Sequence, residues 1–398
     1  MIKNIFFLVL ITLIYSCTKK DVFDRENQFF INPIAKCENG LAGEYPCNDY
    51  DLLTHFSLEE IGGTATTIST CWGWSDTETQ KEFALVGTNK GVTFIEITNP
   101  ADAKILGTLK TTGTRILDIK RYQFFAFIVN NDATNNLQIF NLEQLRNVGT
   151  TPTDFISHKE GVYNDNPQSI AINEESDFIY FLGSKNNKGG PIFYNISVVP
   201  EPKFKGSYQE NSYNNPAKVV TYNGPDAAYI GQEILIGSNE DELVILNVTD
   251  KENPVKIATI SYVNSSKTTK AAFTEDFKYI IVGDEGDAQN KTVILDVSDL
   301  DNPVHHLDFE GTTTAIDHAG FVKNDKYYQA NTTAGLRVLD LSDIDSKTIT
   351  ESGFFDTYPE NDTPETKGAL SVFPNLSSGN ILITDTESGF FVVRKSKS

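Results

Sequence analysis

The chain has 398 residues and the composition of a folded protein, with 26 Phe, 16 Tyr and 39% hydrophobic residues. That length is enough for one large domain or two ordinary ones. The formal net charge of −21 argues against binding to nucleic acid or to an anionic lipid surface, because such a chain repels phosphate groups. The charge suits a cation-rich partner, although excess acid also serves solubility alone, and we favour that simpler interpretation.

Residues 1–16 have the pattern of an export signal. Lys3 supplies a positive start, and Ile5 to Tyr15 is an apolar run of 11 residues, which is too short to span a bilayer as a helix. Ile14-Tyr-Ser-Cys17 resembles a bacterial lipobox, whereas an ordinary signal peptide would need an Ala-x-Ala cleavage site. We expect an outer-membrane lipoprotein anchored through Cys17. We favour the cell surface over the periplasmic side, which the sequence leaves open, and residues 17–35 are charged and predict a flexible tether.

Three further cysteines remain. Cys37 and Cys47 enclose nine residues with two glycines and a proline, and in an oxidising compartment we expect them to form a disulfide. Closing so short a loop would contribute about 2–3 kcal/mol. Cys71 lies in a strand pattern beside Trp72, and we expect it to be a buried free thiol.

From residue 51 onward the chain is almost all strand pattern, and one phrase recurs. Ile245-Leu-Asn-Val-Thr-Asp250 and Ile294-Leu-Asp-Val-Ser-Asp299 show it clearly. The polar residue at its centre returns every 44 to 54 residues, at Glu96, Asn141, Asn195, Asn247, Asp296, Asp340 and Arg394. Such a period is typical of β-propeller blades of four antiparallel strands. An open sandwich or two separate sheets would not explain this spacing.

Seven phrases predict an all-β, seven-bladed propeller over residues 36–398. The last blade has only three strand patterns, and residues 51–58 supply an amino-terminal strand that would close the ring and remove an open edge. The best helix candidate is the turn at 142–146. The innermost strands are expected to begin near Cys71, Asp118, Gln168, Asn215, Thr269, Asp317 and Gly368.

Several motifs resemble those of the choice-of-anchor B family of exported bacterial proteins with LVIVD repeats. They include Gly40-Leu-Ala-Gly-Glu-Tyr-Pro-Cys47, Trp72-Gly-Trp-Ser-Asp76, Tyr222-Asn-Gly-Pro-Asp226 and Phe355-Asp-Thr-Tyr-Pro-Glu-Asn361. The resemblance covers about residues 36–394. It implies an extracellular propeller held at the cell surface, here by the lipid, and it implies no particular activity. In the family several blade starts carry histidine, which only Asp317-His318 retains here.

Asp118, Asp317 and His318 are the candidate catalytic residues, because innermost strands line the channel of a propeller. One histidine and two acids fall short of the three or four converging ligands of a transition-metal site. Lys218 and Lys270 would add repelling charges nearby. We therefore expect no such metal, and we interpret Asp317-His318 as a hydrogen-bonded pair that ties one blade to the next.

Two other features have a functional and a structural interpretation. The acidic loops 284–287 and 239–242 offer oxygen ligands for calcium, but solvated turns explain them more simply, and we expect no cofactor. Trp72 and Trp74 face the same side of their strand. They could anchor a binding partner, but we favour packing between blades.

We expect a non-enzymatic binding or scaffold module that docks a protein partner on its loop-rich face, within an outer-membrane complex. The alternative is an extracellular lyase or hydrolase that degrades a polymer, with Asp118, Asp317 and His318 in the channel. Convergence separates the two interpretations. An enzyme needs these groups within hydrogen-bond reach of one another and open to solvent.

Overall fold

The computed structural model describes residues 33–132, 134–161, 167–184, 187–209, 217–239, 242–261, 268–284 and 291–397. Contacts divide the chain into residues 1–30 and residues 31–398, and all of the described residues belong to the second unit. The signal segment 1–16 and Cys17 lie outside the described residues, as does the predicted tether up to residue 32. No helix in the described ranges combines the length and the apolar character needed to cross a bilayer.

Short strands follow one another along the described chain. The amino-terminal segment and the first two sheets contain β1 (Leu41–Ala42), β2 (Tyr45–Asn48), β3 (Tyr50–Phe56), β4 (Ile68–Ser75), β5 (Glu82–Thr88), β6 (Gly91–Glu96), β7 (Lys104–Lys110), β8 (Ile116–Tyr122), β9 (Phe125–Asn130), β10 (Leu137–Asn141), β11 (Thr153–Phe155) and β12 (Lys159–Gly161). The next two sheets contain β13 (Ser169–Asn173), β14 (Phe178–Leu182), β15 (Ile192–Asn195), β16 (Lys203–Ser207), β17 (Lys218–Thr221), β18 (Glu233–Asn239), β19 (Glu242–Asn247) and β20 (Val255–Ser261).

The last three sheets contain β21 (Thr268–Phe273), β22 (Tyr279–Asp284), β23 (Lys291–Asp296), β24 (Val304–Glu310), β25 (Ala319–Lys323), β26 (Lys326–Ala330), β27 (Leu336–Asp340), β28 (Thr350–Phe355), β29 (Ala369–Phe373), β30 (Ile381–Asp385) and β31 (Gly389–Lys395). The helical elements in the described ranges are α1 (Leu58–Gly62) and three 3₁₀ turns, Pro100–Asp102, Leu142–Asn147 and Ile344–Ser346.

The sheets are the seven blades of a β-propeller, as predicted, and each has a core of four antiparallel strands. From the inside outward they are β4-β5-β6-β7, β8-β9-β10-β12, β13-β14-β15-β16, β17-β18-β19-β20, β21-β22-β23-β24, β25-β26-β27-β28 and β29-β30-β31-β3. The innermost strands begin within three residues of the predicted positions. We call the face where they begin the upper face and the face where they end the lower face.

The second strand of a blade shows why the pattern there is a continuous apolar run. In β5, Phe83, Ala84, Leu85 and Val86 are all fully buried. A blade packs on a neighbour through both of its faces, so alternation between apolar and polar residues is lost in its middle strands. Phe83 packs in the core between the first and second blades, whereas Ala84 packs in the core between the seventh and first blades.

The central residue of the repeated phrase ends the third strand. Asp340 accepts hydrogen bonds at Oδ1 from the backbone N–H of Ser342 at 3.0 Å and from its hydroxyl at 2.6 Å. A short Asx side chain that bonds to the backbone two residues later turns the chain. The corresponding backbone contact is present at Asn141, Asn195, Asn247 and Asp296.

The amino-terminal strand closes the ring as expected. β3 pairs antiparallel with β31, with His55 opposite Phe391. The strand ends at Phe56, two residues earlier than predicted, because Ser57 and Glu60 form a capping box that begins α1. The turn at 142–146 is a 3₁₀ helix.

The disulfide hairpin was expected to be a loop but is part of the sheet structure. Cys37 and Cys47 form the predicted disulfide, and β1 and β2 form a hairpin within it. β2 then pairs with β28, placing Cys47 opposite Phe355. The segment before β3 therefore extends the sixth blade while β3 completes the seventh. Cys71 is buried and forms no disulfide, as predicted.

The first blade has a fifth strand that the repeat does not predict. After the 3₁₀ turn Leu142–Asn147 the chain returns to the first blade, where β11 pairs parallel with β7. Gly107 allows this approach, because a Cβ built there would lie 1.9 Å from the carbonyl oxygen of Thr153. The chain then goes back to complete the second blade with β12.

Candidate functional site

A central cavity of about 440 Å³ lies on the propeller axis, and the innermost strands of all seven blades line it. Its walls are largely apolar, with Trp72, Phe273 and Phe321 among them. Charged side chains also line it, namely Asp118, Lys120, Arg121, Glu174, Lys218 and Glu275. This volume lies within the range of about 300–1,000 Å³ typical of small-molecule sites.

Asp118 lines the central cavity, but protein donors occupy its carboxylate. Oδ1 accepts from the backbone N–H of Ile119 at 2.9 Å and from the ammonium group of Lys120. Oδ2 accepts from the backbone N–H of Ile170 at 3.1 Å. Because Ile170 belongs to the third blade and Asp118 to the second, this carboxylate links neighbouring innermost strands.

Asp317 lies elsewhere, in the contact between the fifth and sixth blades. Its Oδ2 accepts from the hydroxyl of Thr292 at 2.5 Å, and its Oδ1 accepts from the side-chain amide of Asn331 at 2.6 Å. Burial raises the pKa of Asp317 to about 6, although the hydrogen bonds from Thr292, Gln329 and Asn331 lower it. Asp317 lines a separate crevice, together with Gln329, and not the central cavity.

The three candidate catalytic residues do not form one site. Asp118 and Asp317 are both buried, line different cavities and bond to different partners. His318 follows Asp317 and donates its backbone N–H to Ala330 within the same blade, at 3.0 Å. Asp317 itself bonds from blade to blade, through Thr292 of the fifth blade.

Lysines contribute more to the central cavity than the sequence suggested. Lys120 was missed, although strand alternation from Asp118 places it on the same face two residues later. Its ammonium group lies 4.9 Å from the ring centroid of Trp72. Lys218 lines the cavity, as predicted, and the side chain of Lys270 lies outside the described residues.

A second concave site opens on the lower face, and we call it the surface pocket. It has a volume of about 560 Å³. It shares Trp72, Arg121, Glu174 and Asn375 with the central cavity. Its other lining residues are Gly73, Trp74, Ser75, Asp76, Thr77, Gln123, Phe124, Arg146 and Phe373.

The two tryptophans combine packing with exposure. Trp74 is buried and stacks on Phe83, with ring centroids 5.2 Å apart. Trp72 is half-buried, and its ring centroid lies 4.7 Å from that of Phe373. The preference for blade packing therefore describes Trp74 well, whereas part of Trp72 faces the cavities. Phe124 stands in the turn between β8 and β9 and is 38% exposed.

An ion-pair network holds one wall of the surface pocket. Arg146 donates from Nε to Asp76 Oδ2 at 2.8 Å and from Nη2 to Oδ1 at 3.0 Å, a bidentate pair between the second and first blades. Desolvation opposes ionisation of Asp76, but the hydrogen bonds from Arg146 and Thr79 outweigh it and lower the pKa of Asp76. The wall stays charged and rigid at neutral pH.

The predicted calcium loops, 284–287 and 239–242, lie largely outside the described residues. A different set of acids, Asp226, Asp299 and Asp301, has carboxylate oxygens within 4.8 Å of one another. Protein donors already bond to all three of them, since the backbone N–H of Asp301 donates to Asp299 at 3.0 Å. The backbone N–H of Leu300 donates to Asp226 at 3.0 Å, and the hydroxyl of Tyr229 donates to Asp301 at 3.0 Å.

Comparison with known proteins adds no assignment, since no family model matches the chain and no curated protein matches it significantly.

Proposed function

We propose that the protein is a lipid-anchored binding module that docks a protein partner on the lower face of its propeller, without catalysis. Cys17 carries the lipid, and the body stands at the surface of the outer membrane as part of a complex. The surface pocket supports this proposal, because it is concave and combines the partly exposed Trp72, an exposed phenylalanine and two arginines. Tryptophan and arginine are enriched among the residues that dominate protein–protein affinity.

The partner presents an apolar side chain ringed by basic residues. Arg121 bonds to Glu174 at 2.7 Å, and Arg146 pairs with Asp76, so the cations of the pocket are already matched by acids. The chain as a whole carries a net charge of −21. Such a field attracts a basic partner and speeds its association at low salt.

The catalytic alternative lacks a convergent site among the described residues. Asp118 and Asp317 would have to act on one substrate, yet each carboxylate bonds to its own set of protein donors in a different cavity. A lyase or hydrolase of extracellular polymers nevertheless remains the competing outcome of the experiment.

The test compares alanine variants of two phenylalanines, one in the surface pocket and one at the outer edge of a blade. Phe124 lies in the surface pocket, and Phe204 on β16 is 60% exposed at the outer edge of the third blade. The native lipoprotein is extracted from outer membranes after mild cross-linking, its partner is identified, and the dissociation constant is measured with purified components. We expect Phe124→Ala to weaken binding about tenfold or more and Phe204→Ala to leave it unchanged.

Equal binding by both variants would contradict docking on the lower face. A chain without any partner, whose polymer-cleaving activity is lost in Asp118→Asn, would favour the enzyme. The proposed attachment through the lipid on Cys17 is tested by Cys17→Ser, which should release the protein from the membrane fraction. Retention of that variant in the membrane would refute attachment through the lipid.

A further inference from the structure

The central cavity contains a lysine that forms no ion pair with the described residues. Three lining acids have contacts elsewhere. Asp118 pairs with Lys120, Glu174 pairs with Arg121 at 2.7 Å, and Glu275 accepts from the backbone N–H of Asp325. No carboxylate of the described residues pairs with the remaining cation, Lys218.

Lys218 stands in an unusual environment. Its side chain is open to the water of the cavity, yet protein surrounds it. Desolvation and then the charge of Lys120 lower the pKa of Lys218, and no acid opposes them. An ammonium group in a confined cavity, partly desolvated and near a second cation, is less favourable than one in bulk water, and an anion beside it would offset that cost.

Another enclosed lysine of this propeller shows how such a charge is normally accommodated. Lys251 is buried between the third and fourth blades, where its ammonium group bonds to Glu233 at 2.5 Å and to the carbonyl of Val248 at 2.5 Å. Glu233 in turn accepts from Asn173 and Tyr180. The protein therefore satisfies Lys251 internally, and it provides no equivalent for Lys218 among the described residues.

Lys120 has donor capacity left for a ligand. Its ammonium group has three N–H donors and bonds to Asp118, with a longer contact of 3.5 Å to the carbonyl of Ile119. Apolar side chains surround the two lysines. Phe273, Phe321 and Trp72 line the same cavity. All three rings can pack on a hydrocarbon or aromatic group, and only the indole N–H of Trp72 among them can hydrogen-bond.

We propose that the central cavity binds a small organic carboxylate whose anionic end lies between the ammonium groups of Lys218 and Lys120 and whose apolar body packs on Phe273, Phe321 and Trp72. The cavity of about 440 Å³ is large enough for such a ligand. Charge-assisted hydrogen bonds orient the carboxylate, and the apolar walls select the body. This carboxylate site is a separate proposal from the protein docking on the lower face, and it holds whether or not a protein docks there.

The probe is 3-phenylpropionate, and its neutral analogue is 3-phenylpropionamide. Ligand-observed NMR with the complete mature protein measures both dissociation constants. At about 0.3 kcal/mol per non-hydrogen atom, the carboxylate should bind with a dissociation constant of about a few millimolar. The amide should bind about tenfold more weakly or worse, because it lacks the charge that the lysines recognise.

Lys218→Met should weaken carboxylate binding about tenfold or more, whereas Lys203→Met, at an exposed position on β16, should not change it. Lys218→Gln provides a second, polar variant of similar length. Without ligand, both Lys218 variants should be at least as stable as the wild type, because the repulsion from Lys120 is removed. Measuring the stability of the variants without ligand therefore shows whether weaker binding comes from loss of the site or from unfolding.

Unchanged binding in folded Lys218→Met would overturn the proposal, as would equal affinity for the carboxylate and the amide. Inorganic phosphate bound as tightly as 3-phenylpropionate would contradict the role of the apolar walls. Selective binding of the carboxylate, lost in both Lys218 variants and retained in Lys203→Met, would establish the site.

Discussion

Replacing Asp317 by Asn should change how the stability of the propeller depends on pH. The carboxyl of Asp317 is buried between two blades, and burial raises its pKa from 3.8 to about 6. Asn has nearly the same shape and does not ionise. Its carbonyl oxygen can still accept from Asn331, and its amide can donate to the hydroxyl oxygen of Thr292.

The size and sign of the effect follow from linkage. Because the pKa is higher in the folded chain than in the unfolded one, Asp317 contributes its full stability below about pH 3.8 and loses it as the pH rises through about 6. At about 1.4 kcal/mol per pKa unit, the whole window corresponds to about 3 kcal/mol. The stability that Asp317 loses between pH 5 and pH 7 amounts to about 1.4 kcal/mol.

The assay is urea unfolding followed by tryptophan fluorescence at constant ionic strength from pH 5 to pH 8. We expect the free energy of unfolding of Asp317→Asn, relative to the wild type, to increase by about 1.4 kcal/mol over this range. Asp340→Asn is the flat control. The hydrogen bond from Lys326 lowers the pKa of Asp340, so this carboxyl is ionised in both the folded and the unfolded chain above about pH 5, and the difference between Asp340→Asn and the wild type should stay constant from pH 5 to pH 8.

A difference between Asp317→Asn and the wild type that is constant with pH would refute the reasoning. It would mean that the hydrogen bonds from Thr292 and Asn331 cancel or outweigh the desolvation of the carboxylate, because a folded pKa at or below 3.8 leaves Asp317 ionised in both states from pH 5 to pH 8.

Two further predictions concern the disulfide and the extra strand. Replacing Cys37 and Cys47 together by Ser should lower the free energy of unfolding by about 2–3 kcal/mol, as measured by urea unfolding, and a reductant should reproduce the loss in the wild type but not in the variant. Gly107→Ala should lower the thermal midpoint of unfolding, because its Cβ would lie 1.9 Å from the carbonyl oxygen of Thr153. Gly149→Ala is the control. Its Cβ would meet nothing within 4 Å, so its free energy of unfolding should stay within about 0.5 kcal/mol of that of the wild type. A neutral Gly107→Ala would show that the pairing of β11 with β7 contributes nothing to stability.

Local patterns were enough to predict most of the fold. The blade period and the polar residue that ends each third strand depend on contacts within a few residues, such as the one between Asp340 and Ser342. The closing strand was also predictable, because an unpaired strand pattern at one end of the chain matched a blade with three strands at the other. The disulfide was predicted from the short spacing of its cysteines and from the predicted export signal.

Other elements depended on approaches that no local pattern records. β11 leaves the second blade to pair with the first, and β1 and β2 join the sixth. Each requires backbone positions distant in sequence to come close, as at Gly107 and Thr153. The repeat describes an average blade, and these strands are departures from it.

The sequence by itself determined the blade number, the four-stranded core of each blade and the closure by an amino-terminal strand, because a fixed period and strand alternation encode them locally. Only the tertiary structure decided which of those side chains meet. It separates Asp118 from Asp317 into different cavities and places Lys120 and Lys218 in the same one. The physical reason is that pairings across a ring depend on the radial position and depth of each side chain, and residues on different blades share no sequence spacing that could reveal them.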